Sequence, residues 1–229
     1  MYQNQSVIRG GFRRSALFVI LAVLLGSLLW LPPVAQSAGL DPAFGSSRNL
    51  WVDREVLRTR PTAGPAWARL AEDAQSSWGS ANISDQESDH DVLTFAGALY
   101  AVRMNDVAMR QRVVSAVESA IGTEQGGRSL ALGRNLTGYV LAADLVGYDS
   151  AQFRNWLSGV RTADVDGRTL VSTHEDRPNN WGAHAGAARI AVDLFIGDAA
   201  DLDRATKVFQ GYLGDRNAHS AFEYGDDEW

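Results

Sequence analysis

The chain has 229 residues, no cysteine and a formal net charge of −6. Without cysteine it can build neither a disulfide framework nor a thiolate metal site, so an exported form must rest on its own apolar core. The acidic balance argues against nucleic acid or an anionic membrane surface as a partner.

Residues 1–38 read as a signal peptide. Arg9, Arg13 and Arg14 form a positive start, Ser15 to Leu31 are almost wholly apolar, and Ala35-Gln36-Ser37-Ala38 after Pro32-Pro33 offers a cleavage site. Uncleaved, the apolar run suffices as a membrane anchor, and that alternative stays open. Arg13-Arg14 is a weak hint of twin-arginine export. The expected location is secreted or periplasmic. The leader holds three of the 21 Lys and Arg and none of the 27 Asp and Glu, which leaves residues 39–229 at −9. A polyanionic sugar is mildly disfavoured by that charge unless the positive groups gather in one cleft.

Helical periodicity then recurs in pairs, with one lone helix near Ala66 to Trp78 ahead of them. A mostly apolar helix is predicted over Asp91 to Met104, followed after Asn105-Asp106 by one with Val113, Val114, Val117 and Ile121 on a single side. Leu130 to Val146 repeats the first type and ends at Gly147. Asp149 and Gln152 have capping-box spacing for a second amphipathic helix bearing Phe153, Trp156, Leu157 and Val160. Trp181 to Ile196 repeats the first type again, and Asp198 opens an amphipathic helix with Leu202, Ala205, Val208, Phe209 and Leu213.

Each pair joins a helix buried nearly all round to one buried along a stripe, with a Gly or Asn stop and an Asp start between them. The spacing of about 40–50 residues falls among helical repeats. The predicted fold is all-α, an incomplete (α/α) toroid of inner and outer helical hairpins over residues 39–229; an ordinary helical bundle is the plainer alternative. Three pairs are too few to close a ring of the usual size.

If the inner helices run parallel, their N-termini share one rim. That rim carries Asp89-His90-Asp91, Arg134-Asn135 and Arg177 to His184, bordered by the polar loop from Gly79 to Asp91. Helix N-termini present free N–H groups and a positive dipole end to anions.

The segment Arg177-Pro178-Asn179-Asn180-Trp181-Gly182-Ala183-His184 opens the third inner helix. Asn179 or Asn180 can cap it, and Asn180 and His184, four apart, share a face. An amide that grips a carboxylate beside an imidazole that takes a proton is the set that β-elimination from a uronic acid needs. The plainer reading is that Asn180 only caps and His184 only fills a gap.

Asn179-Asn180 opening an inner helix, the repeated hairpins and the secretion signal resemble the alginate lyase domain of α/α-toroid polysaccharide lyases. The resemblance covers about Asp41 to Trp229, with only the Asn-Asn segment specific. It implies that Asn180 neutralises the uronate carboxyl. The family's His position is Trp181 here, so His184, on the same side of the helix, takes the place of the base. The family also uses a Tyr, for which Tyr224 stands in, and a cation, for which Arg177 stands in. The implied function is a secreted polysaccharide lyase cleaving an acidic, alginate-like polymer.

Asn180, His184 and Tyr224 are thus the candidate catalytic residues. Arg177, Asn179, Trp181, Asn135, Tyr139 and His90 are the candidate substrate-binding residues, each with a structural alternative in core or cap. Four scattered histidines give no metal signature, and no cofactor is expected. Glu175-Asp176 keeps open a glycoside hydrolase, which needs two carboxyl groups facing each other across the bond. A non-catalytic glycan-binding module on the same scaffold is the third reading.

Overall fold

The computed structural model describes residues 39–222, so the leader (1–38) and Tyr224 lie outside the described residues. The described residues are all-helical. They form α1 (Arg54–Arg58), α2 (Pro65–Gln75), α3 (His90–Met104), α4 (Val107–Ala120), α5 (Ser129–Val146), α6 (Ala151–Val160), α7 (Leu170–Asp176), α8 (Asn180–Ile196) and α9 (Ala199–Tyr212). Val165 and Arg168 make an isolated bridge, and the described residues contain no strand. No helix among them is long and apolar enough to cross a membrane.

The punctuation between paired helices follows from local chemistry. Asn105, Gly147 and Gly197 end α3, α5 and α8 in the left-handed conformation, where a Cβ is costly. Asp106 and Asp198 then accept N–H bonds from Met109 and Asp201 and open α4 and α9. The cap of α6 differs from the sequence expectation. Ser150 accepts the Phe153 N–H at 3.1 Å, while the Asp149 carboxylate is drawn outward to Arg48 at 2.6 Å and Arg154 at 3.5 Å. α7, held by a Thr169/Ser172 capping box, has no counterpart in the sequence reading.

Helices α3, α5 and α8 lie side by side with α5 in the middle; α4 packs on α3 and α5, α6 on α8, and α9 on α8 and α7. The three central helices run in the same direction. Near their starts, Gly133 of α5 meets the His184–Ala185 backbone of α8. Their far ends gather around one extended segment. The Asp41 N–H donates to Asn105 at 2.8 Å, and the Asp144 carboxylate accepts the Ser47 hydroxyl and the N–H groups of Arg48 and Leu50 at 2.6–3.1 Å. The Arg48 guanidinium covers the Phe195 ring at 4.4 Å.

The apolar core runs the length of this layer, from Val102, Val113 and Val117 through Leu132, Leu136 and Val140 to Phe153, Val192 and Phe195. The densest group of buried charge lies at one corner. Arg189, fully buried on α8, donates to Asp201 of α9 at 2.9 Å and to Glu175 of α7 at 2.9 Å. Arg161, just beyond α6, binds Asp193 of α8 and reaches Asp198 and Asp201 at 3.0 Å.

A close backbone approach in the central layer tests this packing. A Cβ on Gly133 would sit 2.8 Å from the Ala185 nitrogen and 2.9 Å from the His184 carbonyl carbon, both backbone atoms that cannot swing aside. Gly133→Ala should destabilise the fold by roughly 1–3 kcal/mol through overpacking, outweighing alanine's helical advantage of about 1 kcal/mol. Gly159→Ala, with open space at its Cβ, should be neutral or slightly stabilising. Thermal unfolding of the two variants checks the contrast.

Candidate functional site

The α7–α8 junction is built by one sharp reversal. Arg177 leaves α7 in an extended conformation, Pro178 is buried, and the Asn179 side chain caps α8 by accepting the Trp181 N–H at 3.0 Å. The Ala183 N–H bonds back to the Asn179 carbonyl at 3.0 Å. The reversal folds so tightly that a Cβ on Gly182 would fall 1.8 Å from the Arg177 carbonyl oxygen and 2.3 Å from the Tyr212 hydroxyl. Only glycine fits there. The Tyr212 hydroxyl is directed at the His174 carbonyl, 2.6 Å away, and the Arg177 carbonyl, 2.8 Å away, and so locks both sides of the turn. Burial raises the pKa of that phenol, so it stays a donor.

On this support the first two turns of α8 present their polar residues outward. Asn180 and His184 are both exposed, and their spacing puts them on one face. No hydrogen bond to another described side chain restrains either of them. Trp181 is half-buried, with the Arg177 guanidinium over its ring at 4.5 Å, a cation–π contact that holds both groups beside Asn180. Four of the residues expected at the site, Arg177, Asn180, Trp181 and His184, are therefore together. Asn179 is spent on the cap.

Three others, Asn135, Tyr139 and His90, are buried. Asn135 is buried, and its amide donates to the carbonyls of Ile83 at 3.2 Å and Asp85 at 2.7 Å. With Arg134, which donates to the Gln86 carbonyl at 2.9 Å, it ties the polar loop to α5. Tyr139 and His90 are buried and meet at 2.8 Å between the phenol oxygen and Nδ1. Burial lowers the His90 pKa, helped by Arg112, and raises that of Tyr139, helped by Asp91. The neighbouring Asp91 carboxyl is pushed up to about 6, chiefly by desolvation. As placed, Asn135, Tyr139 and His90 are buried, and reaching a ligand would require them to move.

The adjacent acids have other partners. Glu175 is paired with Arg189 and Arg204, and Asp176 with Arg168 at 3.1 Å. Neither stands as a free carboxyl across a cleft, the arrangement that hydrolysis requires.

Sequence reasoning missed the groups that hold this face in place. Arg189 and Asp193 stand four apart on an otherwise apolar helix, a visible signal of buried charge, yet they serve different partners. His174 was also missed. It is buried, and its Nδ1 lies 3.4 Å from the Arg189 guanidinium, which is only a donor. The ring is therefore neutral with its proton on Nε2. His219 Nε2 completes the corner, 2.9 Å from the Glu175 carbonyl.

A polar cavity of about 380 Å³ opens at the start of α5, lined by Ser84, Gln86, Arg128 and Asp166 among others; the expected site residues do not line it. No family model, curated protein or solved structure matches this chain.

Burial and the Arg189 charge push the His174 pKa down to about 3 from its ordinary 6.5. The unfolded ring takes a proton that the folded ring refuses. Its contribution is thus full above pH 6.5 and is lost as pH falls towards 3. Asp91 and Asp193, whose pKa values are raised by burial, contribute with the opposite slope, their stabilisation fading as pH rises. In His174→Gln those two terms remain, so the difference between wild type and variant in urea unfolding should shrink steadily from pH 6.5 to pH 4. A difference independent of pH would contradict a neutral buried His174.

Proposed function

We propose that the chain is an exported polysaccharide lyase that cleaves a uronate-containing, alginate-like polymer by β-elimination. On this reading α3, α5 and α8 are inner helices, and α4, α6 and α9 outer helices, of an (α/α) toroid arc. The observation that carries the proposal is the exposed pair Asn180 and His184, a turn apart at the opening of α8, with Arg177 and Trp181 beside them.

The chemistry follows from charge. Taking the proton on C5, α to the uronate carboxyl, moves a second negative charge onto that carboxyl. The Asn180 amide, the Arg177 guanidinium and the α8 N-terminus are donors whose hydrogen bonds tighten as that charge develops. The His184 imidazole accepts the C5 proton. The C5–H electrons become the C4=C5 double bond, and the C4–O4 bond breaks with its pair going to O4. An acid then protonates the leaving oxygen, the role proposed for Tyr224. The Trp181 face, partly open beside Arg177, offers a platform for the sugar ring.

Polymannuronate, polyguluronate and glucuronan, each incubated with the full chain, give the test. Ultraviolet absorbance of the unsaturated product should rise with at least one of them. His184→Ala should reduce kcat by about 10²–10⁴, the worth of one general base. Asn180→Ala should cost about 10²–10³, the worth of one oxyanion donor. Both side chains are exposed, so Tm should barely change. Silence on all three polymers sinks the proposal. New reducing ends without absorbance would mean hydrolysis, and saturable binding without product a glycan-binding module.

A further inference from the structure

An apolar opening among the described residues lies away from α8, where α1 and α2 pack on α3. It is a groove of about 450 Å³, lined by Trp51, Trp67, Leu70 and Leu99 together with Arg60 and Arg103. That volume is in the range of small-molecule sites. Trp51 is 65% exposed, a large indole left open to solvent, with its ring 5.3 Å from Phe95. Trp67 is fixed from one side by stacking on Tyr100 at 5.7 Å.

The two arginines are the exception in this lining, which is otherwise apolar. Arg103 Nε donates to the Arg60 carbonyl at 2.6 Å, which holds the two residues together. Neither guanidinium has an acidic partner among the described residues. Nearby arginines do: Arg58 pairs with Glu55 at 3.0 Å and Arg69 with Asp73 at 3.1 Å. In a chain with more acids than bases, two cations without counter-charges at the wall of an apolar groove are complementary to an anion with an apolar body. A sugar fits poorly, since its hydroxyls would face hydrocarbon without partners.

We propose that this groove binds an apolar carboxylate of the fatty-acid type, its chain along the indoles and its head group toward Arg60 and Arg103. The site is separate from the Asn180–His184 face, with α5 between α3 and α8, and does not depend on the lyase reading.

Dodecanoate below its micelle concentration is the probe, titrated into the full chain by calorimetry and by tryptophan emission. Dodecanol, an oligouronate and an acidic hexapeptide serve as comparisons. One-to-one binding of dodecanoate is expected, with dodecanol weaker by about tenfold for loss of a charged hydrogen bond. The double variant Arg60→Ala/Arg103→Ala should erase that preference, and Trp51→Ala, at an exposed position, should weaken both ligands and leave the Tm unchanged. Failure of dodecanoate to saturate would overturn the proposal. So would equal affinity for dodecanol in the unaltered chain, or displacement of dodecanoate by the oligouronate or the peptide.

Discussion

Arg189 sets the geometry on which the candidate site depends. It is a fixed cation with no exposure, held in an otherwise apolar helix by carboxylates from α7 and α9. Removing a charge from water costs several kcal/mol even after relaxation, so the arginine is tolerable only where its counter-charges are. α7, α8 and α9 must therefore close around it in one arrangement. Arg161 extends the same constraint to α6 through Asp193, Asp198 and Asp201. The short α7, with few residues of its own to bury, is located by this corner. So is the turn that follows it.

From that corner the order passes outward to chemistry. The fixed α7 end gives Tyr212 two carbonyls to bind, Gly182 lets the chain reverse without a side chain in the way, and Asn179 closes the first turn of α8. The Tyr212 hydroxyl, the two carbonyls it faces and the Asn179 side chain are consumed in holding structure. Asn180 and His184 come next in sequence and are left exposed on a rigid helix. A pair of functional groups on a helix whose start is pinned from both sides keeps its spacing without being part of the fold's own bonding, the condition for meeting a ligand in a set geometry.

Much of the architecture could be read from the chain. Alternation of apolar and striped helices, the stops at Asn105, Gly147 and Gly197, and the caps at Asp106 and Asp198 are local signals, and each became the expected boundary. The failures have different sources. Asp149 lost the cap of α6 because Arg48, a hundred residues away, competes for its carboxylate. α7 is too short to show a period, and its capping box lacks the usual Glu. Phe209 and Leu213 fit the apolar stripe of α9 yet lie exposed. For the site, adjacency on one helix was legible, which is why Asn180, Trp181 and His184 fall together. Burial of Asn135, Tyr139 and His90 was not, because it depends on the loop that folds over α5 and on the neighbouring helix.

The parallel run of α3, α5 and α8 gives the helical layer two unlike poles. At one, Asp144 grips the segment from Ser47 to Leu50, which leads into the helical layer; at the other, α8 begins. A support or fusion partner joined ahead of Leu40 would connect at the far pole from Asn180 and His184. Immobilised in that way, the protein would turn the start of α8 away from the support.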